Sequence, residues 1–93
     1  ITTPFTWIIT TNAIVATGAK PVFVDVLNDF NINPNAIKQA ITPKTKAIVP
    51  MHVAGHICDM ENISRIAIDN GLLIIEDAAQ AFCSSLNGKR AGA

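Results

Sequence analysis

Charged side chains are scarce in this sequence, and neither sign predominates. Lysine and arginine together number 7, aspartate and glutamate also number 7, and the formal net charge is zero. The charged fraction of 15% lies below the average of about 25% for globular chains. Because the basic residues are scattered singly, the sequence has no electrostatic footprint for nucleic acid or for an acidic membrane surface.

Cysteine and long apolar runs are also rare. The two cysteines, Cys58 and Cys83, are too few for a disulfide framework, and we expect the reduced thiols of a cytoplasmic protein. No apolar run approaches the roughly 20 residues that are needed to span a bilayer. The sequence therefore predicts neither a disulfide-stapled domain nor a membrane-spanning helix.

Apolar residues are abundant and make up 49% of the chain. Small domains have the most surface per residue and need polar side chains to cover it, so we expect much of this surface to contact other protein. The chain opens on a strand-like stretch, ITTPF, and stops at Gly92 and Ala93 without a terminating element. These features predict that residues 1–93 are an internal piece of one larger domain.

Helical and extended patterns alternate along the chain. Apolar spacing and capping residues predict helices over residues 8–16, 34–41 and 60–70. Runs of aliphatic residues predict strands over residues 21–26, 46–51 and 72–77. Successive strands with one helix between them indicate an α/β fold, with parallel strands whose carboxyl ends share one edge. After these units, Asn87 and Gly88 predict a small hairpin on a type I′ turn.

The strand over residues 72–77 carries the strongest functional signal. Four aliphatic residues follow Gly71 and lead directly into Glu76 and Asp77. Such a run predicts a strand covered on both faces, as in parallel sheets. Ligands of open α/β sheets bind just outside the carboxyl ends of the strands, so Asp77 is a candidate partner for a ligand cation. The alternative, a capping box in which Asp77 and Gln80 start a helix, stays open.

Parallel strands would bring several chemically useful side chains to one edge of the sheet. They are Asp25, His52 and Asp77, with Trp7 close to the exit of the opening segment. A carboxylate, an imidazole and a large flat ring together suggest a flat, cationic or heteroaromatic ligand.

Other interpretations have weaker support. A metal site is conceivable from four ligand types at short spacing, but Gly55 breaks the helix that would place two histidines on one face. The four residues are His52, His56, Cys58 and Asp59. The acidic strand also resembles that of a P-loop NTPase, yet the sequence has no phosphate loop ending in Gly-Lys-Ser/Thr. Neither cysteine lies in an activating motif.

Four strings keep an order and spacing that resemble a known family. They are TTPFTWIITTNAI, GAKPVFVDV, AITPKTKAIVPMHVAGHICDM and GLLIIEDAAQAF. They resemble the DegT/DnrJ/EryC1/StrS family of sugar aminotransferases, which are pyridoxal-phosphate enzymes of the aspartate-aminotransferase fold. The resemblance covers essentially all 93 residues. It implies that the chain is a βαβαβ portion of the three-layer large domain, with a mainly parallel sheet followed by a hairpin.

The resemblance assigns expected roles to four residues. In the family, the aspartate of the EDAAQA string pairs with the pyridine nitrogen of pyridoxal phosphate, which implies this role for Asp77. A carboxylate at that nitrogen deepens the electron sink of the cofactor. Gln80 resembles the residue that contacts the 3-hydroxyl of the cofactor, and Trp7 resembles the aromatic that stacks over the ring. His52 matches a histidine near the substrate side.

The resemblance also implies a reaction and an assembly. The expected enzyme moves an amino group from an amino acid, expected to be L-glutamate, to a keto nucleotide-sugar in deoxyamino-sugar, cell-surface polysaccharide or antibiotic-sugar biosynthesis. It is expected to be a homodimer with active sites at the subunit interface. Two alternatives remain: a sugar dehydratase of the same family, with histidine in place of the Schiff-base lysine, and a non-catalytic regulatory protein that retains the fold.

The family's Schiff-base lysine falls in a segment beyond the hairpin, which this sequence does not include. None of the lysines that are present matches that segment; they are Lys20, Lys38, Lys44, Lys46 and Lys89. We therefore expect the 93-residue piece to be inactive by itself.

Overall fold

The computed structural model describes residues 1–93, which form three helices, short extended segments and a hairpin. The helices are α1 (Ile8–Ala16), α2 (Pro34–Ala40) and α3 (Met60–Asn70). The strands are β1 (Ala47–Ile48), β2 (Leu73–Ile74), β3 (Ser85–Leu86) and β4 (Lys89–Arg90), and a short 3₁₀ turn spans Val53–Gly55.

A parallel sheet lies at the centre of the chain. β1 pairs with β2 in parallel, and the pairing reaches the carboxyl ends through a bridge between Met51 and Asp77. On the other side of β1, Val49 donates a backbone hydrogen bond to Ile1 at 2.8 Å. Thr2 then bridges in parallel to Phe23. The order across the sheet is therefore residues 22–24, residues 1–3, β1 and β2.

This order reverses between residues 1–3 and β1, as in doubly wound sheets. α1 connects residues 1–3 to residues 22–24, whereas α2 and α3 lead in the opposite direction across the sheet. Right-handed connections then place α1 on one face and the other two helices on the opposite face. Side-chain alternation agrees, because Ile48 is buried in the core while Val49 lines a cleft beside α1.

The core lies between the sheet and the two helices α2 and α3. It consists of eight buried residues: Val24, Ile32, Ile37, Ile48, Cys58, Ile63, Ile66 and Ala67. α2 starts where the Asn33 side chain accepts a hydrogen bond from the Asn35 N–H. α3 starts in the same way at Asp59 and ends at Gly71, which adopts a left-handed conformation with φ 63°. The predicted helices are confirmed. The sequence was sufficient to predict α2 and α3 because the residues that cap them are close neighbours in the chain.

Within residues 1–93 the last strand is covered on one of the two faces for which burial is predicted. Leu73 is 68% exposed and Ile75 is 56% exposed, whereas Ile74 packs against the core. Of the elements in residues 1–93, only α1 lies on the exposed face of the sheet. An apolar run predicts a strand, but it does not show what covers each face.

The other sequence predictions hold in shorter form. The predicted strand over residues 21–26 is reduced to isolated bridges at Phe23 and Val26. The hairpin pairs β3 with β4, and both turn residues, Asn87 and Gly88, have positive φ as a type I′ turn requires. None of the helices has the length and apolar character needed to cross a bilayer.

Candidate functional site

Asp77 is half-buried at the carboxyl end of the last parallel strand. Its Oδ2 atom accepts a hydrogen bond of 2.5 Å from the Thr10 hydroxyl, and its Oδ1 atom accepts one of 3.2 Å from the Ala79 N–H. A carboxylate has about four acceptor positions. Asp77 therefore keeps a free acceptor position on each oxygen, which a donor on a ligand can use.

The capping-box alternative for Asp77 and Gln80 is wrong in this structure. Turns follow Asp77, and no helix begins there. The Gln80 side chain does not return to Asp77; its Oε1 atom accepts a hydrogen bond of 2.9 Å from the Ala54 N–H. The bond from Ala79 to Asp77 is instead an Asx-type contact, in which an aspartate bonds the backbone two residues ahead.

Asp77 borders a cleft of about 870 Å³ between α1 and the uncovered face of the sheet. Apolar side chains make up much of its lining, including Ile9, Ala13, Val49 and Ile75. Ligand sites are typically concave and mostly apolar, with a few polar groups that fix orientation, and have volumes of about 300–1,000 Å³. A second cleft, of about 650 Å³, lies between α3 and the hairpin and does not include Asp77.

Trp7 occupies the N-cap position of α1, with an extended backbone. Its side chain is 71% exposed, so the indole face is free for a partner. Trp7 does not line the cleft beside Asp77, but its carbonyl accepts the Thr10 N–H at 3.1 Å. The first turn of α1 thus links Trp7 to the residue that holds Asp77.

Gln80 lies on the turn that follows the same strand and is exposed. Because its Oε1 atom already accepts the Ala54 N–H, the amide NH₂ group faces away from that bond. Two donors therefore remain available. An amide donor at this place suits a ligand oxygen that carries negative charge.

His52 does not fit the substrate-side role that the resemblance suggested. The residue is completely buried, and its Nδ1 atom accepts a hydrogen bond of 3.2 Å from the Cys58 N–H. An acceptor at Nδ1 places the ring proton on Nε2, which therefore donates to Glu76 Oε2 at 2.9 Å. Both ring nitrogens have protein partners, so neither is free for a substrate. By strand alternation, His52 and Glu76 also lie on the opposite face of the sheet from Asp77.

The expected convergence of strand-end side chains is therefore only partial. Asp25 is exposed, and its own carboxylate accepts the Val26 N–H at 2.8 Å. The segment that carries it lies three strand spacings from Asp77, a distance on the order of 14 Å. The sheet order separates them because residues 1–3 and β1 lie in between.

The residues considered for a metal site do not converge either. His52 and Cys58 are buried, whereas His56 is exposed and lies 3.7 Å from Asp29. No group of three or more histidine, cysteine, aspartate or glutamate side chains could hold a metal ion.

Cys58 is a core residue. Its thiol donates to the Met51 carbonyl, and burial raises the pKa of the thiol from 9.0 to about 11. A reactive cysteine has a lowered pKa and access to solvent, so Cys58 is not a nucleophile.

Two residues of the site were missed by the sequence analysis. Thr10 contacts Asp77 across 67 residues of sequence, and Glu76 holds the buried His52. The only signal for Thr10 was the run of three polar residues, Thr10 to Asn12, in an otherwise apolar helical string. Glu76 was visible beside Asp77, but the strand pattern did not indicate its partner.

Comparison with known proteins identifies related sequences along the whole chain. The model of the DegT/DnrJ/EryC1/StrS aminotransferase family matches residues 1–93. A pleiotropic regulatory protein of Geobacillus stearothermophilus is 52% identical over an alignment of 93 positions that covers 99% of this chain and 25% of the relative. The dTDP-4-amino-4,6-dideoxy-D-glucose transaminase of Escherichia coli is 48% identical over 89 residues, 95% of this chain and 24% of the relative. The chain thus spans about a quarter of the length of the curated relatives that it matches.

Solved structures share the fold. The structure of 3-amino-5-hydroxybenzoic acid synthase matches with a TM-score of 0.94 and 39% identity, over 98% of this chain and 24% of that one. A Bacillus subtilis protein, NtdA, with bound cofactor PMP matches with a TM-score of 0.88 and 40% identity, over 97% of this chain and 21% of that one. A GDP-4-keto-6-deoxymannose-3-dehydratase with a trapped PLP-glutamate geminal diamine matches with a TM-score of 0.91 and 27% identity, over 98% of this chain and 24% of that one.

Proposed function

The chain belongs to the DegT/DnrJ/EryC1/StrS aminotransferase family, and we propose that it is part of a pyridoxal-phosphate-dependent aminotransferase that acts on a keto nucleotide-sugar. In this proposal residues 1–93 form the central part of the cofactor-binding large domain of a full-length protein. The amino donor is an amino acid, and we expect L-glutamate.

The side chains at the carboxyl edge fit the chemistry of this cofactor. Pyridoxal phosphate, when bound, supplies an electron sink in a flat ring that carries a basic nitrogen and a phenolic oxygen. Asp77 offers a carboxylate with free acceptor positions beside a largely apolar cleft. Gln80 offers amide donors, and Trp7 offers an exposed aromatic face.

The half-buried carboxylate of Asp77, held by Thr10 and Ala79, is the single observation that carries the proposal. We propose that Asp77 accepts a hydrogen bond from the ring nitrogen and keeps that nitrogen protonated. A hydrogen bond to a charged group contributes about 1.5–3 kcal/mol. The positive charge on the ring would in turn compensate the partial burial of the aspartate.

Gln80 and Trp7 would orient the ring that Asp77 holds. We propose that the Gln80 amide donates to the phenolic oxygen and that Trp7 stacks on the face of the ring. Aromatic pairs of this kind contribute about 0.5–1.5 kcal/mol beyond the burial of area.

The related proteins support the nature of the substrates. One relative is named as a transaminase of a dTDP-linked amino sugar, and one is named as a spore coat polysaccharide biosynthesis protein. The dehydratase structure holds glutamate joined to the cofactor. We propose by analogy a nucleotide-linked keto sugar as acceptor, a place in the biosynthesis of amino sugars for polysaccharides or antibiotics, and a homodimeric assembly.

Substitution of Asp77 in the full-length protein tests the proposal. We expect Asp77→Asn to weaken cofactor binding and to lower the transamination rate by about ten- to a hundredfold, because a charge-assisted hydrogen bond is lost. Asp25→Asn is the matched control, because Asp25 lies near the end of another extended segment and its carboxylate accepts only the N–H of the adjacent Val26. Cofactor uptake is measured by visible absorbance, and turnover by amino transfer from glutamate. Wild-type turnover in Asp77→Asn would refute the proposed role.

The same assays separate the two rival functions. A regulatory protein that retains the fold, as the name of one relative suggests, would show no spectral change with glutamate. A dehydratase would remove water from the sugar without adding an amino group. Either result would replace the aminotransferase proposal.

A further inference from the structure

We propose that Thr10 is a positioning residue that orients the Asp77 carboxylate, and that Thr6 orients Thr10 in turn. The inference rests on the proposed function, because Asp77 is the residue that would hold the cofactor. It extends the site by two hydroxyl groups, that of Thr10 on the first turn of α1 and that of Thr6, which lies two residues before the helix begins.

The burial of Thr10 is the first observation. Thr10 is only 6% exposed and is the only buried residue of α1, whereas Ile8 and Ile9 beside it are each 60% exposed. A helix normally buries its apolar side chains and exposes its polar ones. In α1 the buried residue is instead Thr10, and its hydroxyl contacts the Asp77 carboxylate.

The hydrogen bonds at Thr10 have a defined direction. The Thr10 hydroxyl donates its single proton to Asp77 Oδ2 at 2.5 Å. The Thr6 and Thr10 oxygens lie 2.8 Å apart. Because a hydroxyl has one proton to give, Thr10 must accept from Thr6. The order of donation is therefore from Thr6 to Thr10 to Asp77.

This arrangement fixes the plane of the carboxylate. The terminal torsion of an aspartate is broad, so the carboxyl plane is free to turn unless partners hold it. Thr10 holds one oxygen and the Ala79 N–H holds the other. The contact from Thr10 has the short length of a charge-assisted O–H···O⁻ bond, which strengthens this restraint. The free acceptor positions of Asp77 are then held in fixed directions.

The test compares Thr10→Val with Thr10→Ser in the full-length protein. Valine keeps the shape and removes the donor, whereas serine keeps the donor. We expect Thr10→Val to raise the dissociation constant of pyridoxal phosphate, measured by titration of the apoprotein, by about tenfold. We expect Thr10→Ser to remain within about threefold of the wild type, since it loses only a methyl group. Thr6→Ala should give a loss smaller than that of Thr10→Val.

A double-mutant cycle separates positioning from a purely structural role. Thr10→Val should add little to the loss of affinity in an Asp77→Asn background, because the restrained carboxylate is already absent. Thermal unfolding of each apoprotein reports any general loss of structure. Equal losses in Thr10→Val and Thr10→Ser, or a full additional loss in the double variant, would overturn the inference.

Failure of the inference is distinct from failure of the proposed function. If the wild-type protein takes up no cofactor, the proposed function fails and this inference fails with it. If the wild type binds the cofactor and Asp77→Asn weakens binding while Thr10→Val does not, only the inference is refuted.

Discussion

The Nε2 atom of His52 lies 2.9 Å from Oε2 of Glu76. The same glutamate oxygen accepts the Gly92 N–H at 2.8 Å, and the other histidine nitrogen accepts the Cys58 N–H. The buried His52 ring therefore connects the loop after β1 to the segment that follows β2. Glu76 extends this network to Gly92, which lies after the hairpin. Asp77 is the next residue in the chain, so this network supports the strand end that presents it.

Removal of the Glu76 carboxylate should destabilise the fold. Glu76→Ala leaves the buried Nε2–H of His52 without its partner, and we expect a loss of about 1–3 kcal/mol in the free energy of unfolding. Glu76→Gln keeps an acceptor oxygen and should cost less. Urea unfolding of the full-length protein measures both, with the exposed Asp69→Ala as control. A Glu76→Ala protein as stable as the control would show that the network does not stabilise the fold.

The two ends of the Gln80 amide should have separable roles. Gln80→Glu keeps the oxygen that accepts the Ala54 N–H but removes both amide donors. We expect cofactor affinity to fall by about tenfold, from the loss of one hydrogen bond to a charged oxygen and the addition of a like charge. The unfolding free energy should change little.

Gln80→Ala serves as the comparison, because it removes the donors and the acceptor together. It should lower both the affinity of the apoprotein for the cofactor and the stability of the loop contact. Unchanged affinity in Gln80→Glu would place the amide donors outside the cofactor site.

Substitution of Gly55 tests the loop that contacts Gln80, and substitution of Gly18 is its control. Both adopt positive φ, 85° and 80°, so replacement by alanine should cost each site about 1–2 kcal/mol. A Cβ at Gly55 would lie 3.3 Å from Ser84 Oγ and 3.6 Å from the Gln80 carbonyl, whereas a Cβ at Gly18 would meet nothing within 4 Å. We expect both variants to lose stability, and only Gly55→Ala to lose cofactor affinity as well. Equal affinities, measured by titration, would contradict this coupling.

The buried thiol of Cys58 should make stability depend on alkaline pH. Burial raises the pKa of this thiol from 9.0 to about 11, so between these values the folded protein holds a proton that the unfolded chain releases. Stability is then lost as the pH rises through this range, by an amount on the order of 2 kcal/mol. The comparison is the slope of unfolding free energy against pH in wild type and in Cys58→Ala.

The exposed Cys83 provides the control for that measurement. Cys83→Ala should leave the slope unchanged, and Cys83 should react with iodoacetamide faster than Cys58 in the native protein. A slope that is the same in wild type and Cys58→Ala would assign the pH dependence to other groups.

Local features of the sequence were sufficient for the helices, the hairpin and the position of Asp77. Asn33 and Asp59 cap their helices through bonds to backbone groups two or three residues away. Asn87 and Gly88 adopt the positive φ that their turn needs. These interactions act over a few residues, so the sequence that encodes them is contiguous. The order of the strings along the chain likewise identified the family correctly.

The contacts around Asp77 and His52 depended on the tertiary structure. Thr10 reaches Asp77 only because α1 lies on the face of the sheet toward which Asp77 points. His52 turned to the opposite face because side chains alternate along a strand, and its partner was then set by the register between β1 and β2. Sequence periodicity determines where strands and helices form. The order of the strands and the placement of the helices on the two faces determine which distant side chains meet, because those contacts exist only once the sheet has assembled.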